Sequence, residues 1–249
     1  MAQTVTRESD TAGLEAEERE LRIQLAAAYR LADKYGLSEI IYTHISLRLP
    51  GPTQTYLLNP HGMLFSEITA SSLVKVDMAG NIVGPSDWPV NRAGVAIHGS
   101  VLKARPDVNC VFHTHTPYTT AVSSLECGLL PMSQSAMRFN GILAYHDYGR
   151  AATDPEECAR LAEDFGDKWV MLLRNHGGLI AAKTVGDAFI AAFYLERSCE
   201  FQILAQSAGQ KIVLPNEEVR SEGGVMRNEG QAWAALVRQL DREDPSYRS

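Results

Sequence analysis

Val108-Asn-Cys-Val-Phe-His-Thr-His115 is an apolar run that ends in two histidines spaced two residues apart. Side chains alternate across a β-strand, so in a strand His113 and His115 share one face and Cys110 takes the other. Two neutral imidazoles at the end of a buried strand suit a zinc-class ion, because ring nitrogens are borderline-soft ligands. Such an ion needs a third protein ligand. His176, in Leu172-Leu-Arg-Asn-His-Gly-Gly178, is the best candidate: it also follows an apolar run and lies in a glycine turn. A His-X-His pair alone would equally suit a core whose histidines hydrogen-bond to backbone, so the third histidine carries weight.

Around this stretch the chain reads as one large domain with ragged ends. Its 249 residues are 45% apolar and 21% charged, an ordinary globular composition. A net charge of -7 leaves no basic face for nucleic acid or an anionic membrane. The N-terminus is acidic where a signal peptide would be apolar, and no apolar run approaches the roughly 18 residues of a membrane helix, so the cytoplasm is the expected location. The four cysteines form no C-x-x-C pair and read as free thiols.

Upstream of the stretch, residues 1–15 carry no periodicity and are expected to form a flexible arm. The main domain is expected over 16–215, and 216–249 as an extension with a short helix. Leu21, Leu25, Ala28, Ala32 and Tyr35 mark a first helix that Gly36 ends. Ile45, Leu47 and Leu49 alternate with polar residues as a strand, with residues 54–58 as its partner after the Pro50-Gly-Pro52 turn. A helix over 90–104 carries His98, which suits either a packed role or one supporting the site. Downstream, Pro117 opens a helix towards Leu125, and residues 141–148 read as a strand end bearing His146 and Asp147. A helix over 155–166 leads to the strand 169–173 that delivers His176, residues 178–182 return as its hairpin partner, and 184–208 form the longest helix. The apolar residues of that helix suit core or subunit interface.

Several blocks, in order along the chain, resemble the class II aldolase and adducin family. They include Ala104-Arg-Pro-Asp-Val-Asn-Cys-Val-Phe-His-Thr-His115, Arg174-Asn-His-Gly177 and Thr43-His-Ile-Ser-Leu-Arg48. Leu64-Phe-Ser-Glu-Ile-Thr-Ala-Ser-Ser-Leu-Val-Lys75, Val90-Asn-Arg-Ala-Gly94, Cys127-Gly-Leu-Leu-Pro131 and Ala144-Tyr-His-Asp-Tyr148 look most like the adducin head domain. The likeness covers about residues 20 to 242. It implies a three-layer α/β/α fold with a largely antiparallel central sheet. It also implies a homotetramer or other homo-oligomer, and one divalent metal ion, zinc before manganese or iron, on His113, His115 and His176. The metal would stabilise the enolate left by carbon-carbon cleavage of a small-molecule substrate.

Two departures from the family's pattern matter. The aldolases' acid/base glutamate falls four residues before the helix histidine, where this chain has Gly94; a general acid/base is commonly worth about 10²–10⁴-fold in rate. Glu67, His98, His146 and Asp147 are the candidate substitutes. The neutral donors that cradle a sugar phosphate are replaced by His44 and Arg92-Ala93, so Thr43, His44 and Arg92 are expected to meet a non-phosphorylated substrate, with a carboxylate as the suggested group. The leading expectation is a metal-dependent lyase, aldolase or decarboxylase, acting on a hydroxy or oxo compound. An adducin-head-like interaction protein and an Fe(II)-dependent oxygenase on the same scaffold are the alternatives.

Overall fold

The strand that carries His113 runs down the middle of a seven-stranded sheet. The computed structural model describes residues 2–149 and 153–249, with side chains from residue 13 onward. The strands are β1 (His44–Arg48), β2 (Thr55–Leu58), β3 (Val74–Asp77), β4 (Cys110–Thr114), β5 (Leu143–His146), β6 (Val170–Leu173) and β7 (Gly177–Ala182). They lie in the order β3-β2-β1-β4-β7-β6-β5. All pairings are antiparallel except that of β5 with β6.

Helices cover both faces, which is why the central strands are apolar on both sides. One face of the sheet presents Tyr56, Val76, Val111, Met171 and Leu179 to α2 (Arg92–Ala104) and α4 (Pro155–Phe165). The other presents Ile45, Leu57, Cys110, Phe112 and Ile180 to α1 (Ala2–Lys34), α3 (Pro117–Ser123) and α5 (Val185–Ser207). The fold is therefore the three-layer, largely antiparallel α/β/α arrangement that the resemblance implies. Cys110 is buried on the face away from the histidines.

Tyr29 of α1 sets the entry to β1. Its hydroxyl accepts from the backbone N–H of Ile45 at 2.7 Å and of Asn59 at 3.2 Å, so one buried phenol pins both the Thr43-His44 corner and the loop holding His61. The Asn91 side chain caps α2 by accepting from Ala93 and Gly94 N–H, which fixes the helical turn that ends in His98.

Three expectations change. Residues 2–15, expected as a flexible arm, are helical and lie in α1. β3 was not foreseen, because Val74 and Val76 alternate with polar residues over only two repeats. The extension past 216 adds α6 (Glu217–Ser221) and α7 (Gly230–Glu243), and its Trp233, Leu240 and Tyr247 are buried in the same core as α1. Phe189, Ala192 and Leu195 of α5 are also buried within the chain, leaving Phe201 and Leu204 exposed. Among the described residues no helix is long and apolar enough to cross a membrane.

Candidate metal centre

His113, His115 and His176 converge, with one ring nitrogen of each lying within 4.8 Å of the others. β4 supplies His113, the residue just past its end supplies His115, and the three-residue loop from β6 to β7 supplies His176. That loop approaches β4 closely: a Cβ on Gly177 would fall 2.2 Å from the Thr114 carbonyl oxygen. Only glycine allows the approach, and it brings the His176 ring to 4.7 Å from that of His115. Asn175 makes the turn with φ 58°, a left-handed conformation that asparagine tolerates.

Acceptors fix which nitrogens face the centre. His113 Nδ1 donates to the Gly178 carbonyl at 3.0 Å, and His115 Nδ1 donates to the Glu39 carboxylate at 2.6 Å. Each ring therefore carries its hydrogen on Nδ1 and turns Nε2 inward, and these two Nε2 atoms lie 2.8 Å apart. Burial, then the neighbouring histidines, hold His113 well below the usual imidazole range, and the same causes lower His176 to about 4. Both are neutral near pH 7, the state a metal requires. Two inward lone pairs at this separation, with a third imidazole beside them, fit a shared cation.

Next to the triad a second set of rings runs up to α2. His44 pairs with His113 across β1 and β4, with ring centroids 5.2 Å apart. His44 Nδ1 is 2.9 Å from His98 Nε2, and His98 Nδ1 is 2.6 Å from Ser46 Oγ. Burial pushes His44 and His98 far below the usual histidine range. A Cβ on Gly94 would meet His44 Cδ2 at 2.7 Å, so the imidazole occupies the space that any side chain at 94 would need.

The structure sorts the remaining candidates. Thr43 is buried beside His44, has φ 67°, and its hydroxyl lacks a partner among the described residues. Arg92 is exposed on the first turn of α2. Glu67 is not brought to the triad: its exposed carboxylate accepts from Leu64 N–H at 2.8 Å and closes its own 3-10 turn. His146 is clamped, with Nδ1 2.7 Å from Asp164 and Nε2 3.0 Å from Glu157, so both nitrogens serve to tie β5 to α4. Asp147 is exposed just beyond that strand.

Three contributors escape sequence reasoning. Glu39 aims His115 from 76 residues away, on a turn where Ile40 takes φ 50°. Left-handed Ile40 and Thr43 are costly for β-branched residues, and such strain gathers at functional sites. His61 acts on His44 electrostatically, and its buried Nδ1 has no partner among the described residues. Ser46 ends the ring series. No spacing pattern points to any of the three; the nearest signal is the His61-Gly62 pair in the loop after β2.

The family model described as the Class II Aldolase and Adducin N-terminal domain matches residues 23–203. An aldolase II superfamily protein from Pseudomonas syringae superposes with a TM-score of 0.88 at 46% identity, over 94% of this chain and 96% of that one. L-fuculose 1-phosphate aldolase from Glaciozyma antarctica PI12 superposes with a TM-score of 0.82 at 29% identity, over 95% and 94% of the two chains. Mouse (Mus musculus) alpha-adducin is 44% identical over 208 residues, 82% of this chain but 28% of that protein.

Proposed function

This chain belongs to the class II aldolase and adducin N-terminal domain family, and we propose that it is a divalent-metal-dependent carbon-carbon lyase. The substrate is a small, non-phosphorylated hydroxy or oxo compound, cleaved in an aldolase- or decarboxylase-type reaction. The reading is carried by the inward Nε2 atoms of His113 and His115, 2.8 Å apart with each Nδ1 held by an acceptor. His113, His115 and His176 would hold the ion; three imidazoles suit zinc first and admit manganese or iron. A bound divalent cation would supply Lewis acidity at a substrate oxygen and so favour the negative charge that carbon-carbon cleavage leaves there.

The protein's own groups orient the substrate. Arg92, exposed at the start of α2, would supply a cation, and His44, packed where a Gly94 side chain would lie, a neutral donor; both suit a carboxylate. Thr43 Oγ1 and His61 Nδ1 are buried polar atoms without partners among the described residues. Exposed Tyr42, and Tyr148 at 6.4 Å from the His176 ring, favour a homo-oligomer, which we place in the cytoplasm.

Metal analysis of the purified protein beside His113→Ala tests this. About one equivalent of metal in the wild type, lost in the variant, is expected for a three-ligand site. Screening hydroxy and oxo acids for release of a carbonyl product or carbon dioxide then tests the lyase activity. A protein that takes up no zinc, manganese or iron overturns the proposal. It would leave the second reading, a non-catalytic interaction protein, which the likeness to alpha-adducin and the absence of a carboxylate at Gly94 favour.

A further inference from the structure

Gly94 contributes no side chain to the centre, and the ring of His44 lies in its place, 2.7 to 3.0 Å from where a Cβ would be. The hydrogen-bonding state of that ring can be worked out from its far end. Ser46 is wholly buried, and its side chain has one hydrogen-bond partner among the described residues, His98 Nδ1 at 2.6 Å. A buried hydroxyl needs an acceptor for its hydrogen, and this nitrogen is the one available. Ser46 O–H therefore donates to His98 Nδ1. The neutral His98 ring then carries its hydrogen on Nε2 and donates it to His44 Nδ1 at 2.9 Å. With Nδ1 accepting, the neutral His44 ring must carry its own hydrogen on Nε2.

The reverse order fails at one point. If His44 donated to His98 and His98 to Ser46, the serine hydrogen would be left buried without an acceptor, at a cost of about 1–3 kcal/mol. That is enough to set the direction. His44 Nε2 makes no hydrogen bond with the described residues, and the residue keeps 3% of its surface exposed. It is an unused donor on a ring that lies 5.2 Å from that of His113.

We infer that the Ser46–His98–His44 chain fixes His44 as an Nε2–H donor to the substrate oxygen, in the space that residue 94 leaves free. His44 touches the substrate and stabilises charge developing on that oxygen as a neutral donor, with no proton transferred. Ser46 and His98 are positioning residues. The role of the donor rests on the lyase reading; the direction of the chain does not.

The test is nitrogen NMR of the full-length protein labelled with ¹⁵N-histidine, recorded before and after one equivalent of zinc. His44 is expected to show a protonated, pyrrole-like Nε2 and an unprotonated, pyridine-like Nδ1 in both spectra. Ser46→Thr, which keeps the hydroxyl, is expected to retain that tautomer, and Ser46→Ala to lose the preference. A His44 protonated at Nδ1 in the wild type overturns the inference, as does an unchanged tautomer in Ser46→Ala. Loss of the Nε2 hydrogen on adding zinc also overturns it, because His44 would then be a fourth ligand. Should the triad signals ignore zinc while His44 keeps its tautomer, the metal reading fails and the chain direction stands.

Discussion

His44 and Gly94 exclude each other's side chains: the ring of one fills the volume into which the other's Cβ would project, at 2.7 Å. In an exposed helix, Gly→Ala stabilises by about 1 kcal/mol. In this position Gly94→Ala is expected to destabilise by about 1–2 kcal/mol, because the buried His44 cannot move without breaking its bond to His98. In a His44→Ala background the same change should revert to stabilising. Urea unfolding of the four proteins measures the coupling, and additive effects would show that the two positions do not meet.

Glu39 is exposed, so its carboxylate adds little to folding, yet it holds His115 Nδ1 at 2.6 Å. Glu39→Gln is expected to weaken zinc binding about 10- to 100-fold, with an unfolding midpoint close to that of the wild type. Competition against a zinc-binding dye reads the affinity. Equal affinities would remove Glu39 from the centre.

The buried histidines make the metal-free protein acid-sensitive. Burial lowers His44, His98, His113 and His176, the last to about 4, while the unfolded chain titrates near 6.5. Between those values the unfolded state binds more protons, so stability is full above about pH 6.5 and falls as the pH drops towards 4. His176 alone corresponds to roughly 3 kcal/mol over that window. Urea midpoints at pH 7.5 and pH 5 in the presence of a chelator should differ clearly, and coincident midpoints would contradict the burial argument.

His146 sits between Asp164 and Glu157, and its role is to hold α4 against β5. His146→Asn is expected to cost about 2 kcal/mol by leaving a nearly buried carboxylate with one fewer donor. Metal content should not change. A variant that folds as stably as the wild type but loses its metal would put His146 back in the centre.

The sequence made the three-histidine cluster readable because each histidine lies at or just past the end of an apolar strand, and strand period and glycine context are local signals. The helix over 90–104 and the hairpin after Leu173 were readable for the same reason. The fold's layering came from the resemblance, since hydrophobic pattern alone does not order strands. The resemblance points to Gly94 as a place where a carboxylate is expected, but not as the seat of the His44 ring, because that relation joins a strand to a helix 50 residues on. Glu39, Ser46 and His61 were hidden likewise: their contribution depends on a left-handed turn, a strand register and a loop pinned by Tyr29. His146 misled because a histidine at a strand end looks the same whether it faces substrate or two carboxylates.

The close approach of Gly177 to Thr114 has a kinetic meaning as well. β4 and β7 pair across more than sixty residues, a distant contact of the kind that folding chains make slowly. Until that pairing closes, His176 is not beside His113 and His115, so a metal ion would find only two of the three imidazoles together. Zinc uptake during refolding would therefore mark the moment when the two halves of the sheet join. Free metal would also favour the folded population in proportion to its concentration, without altering the steps that come before closure.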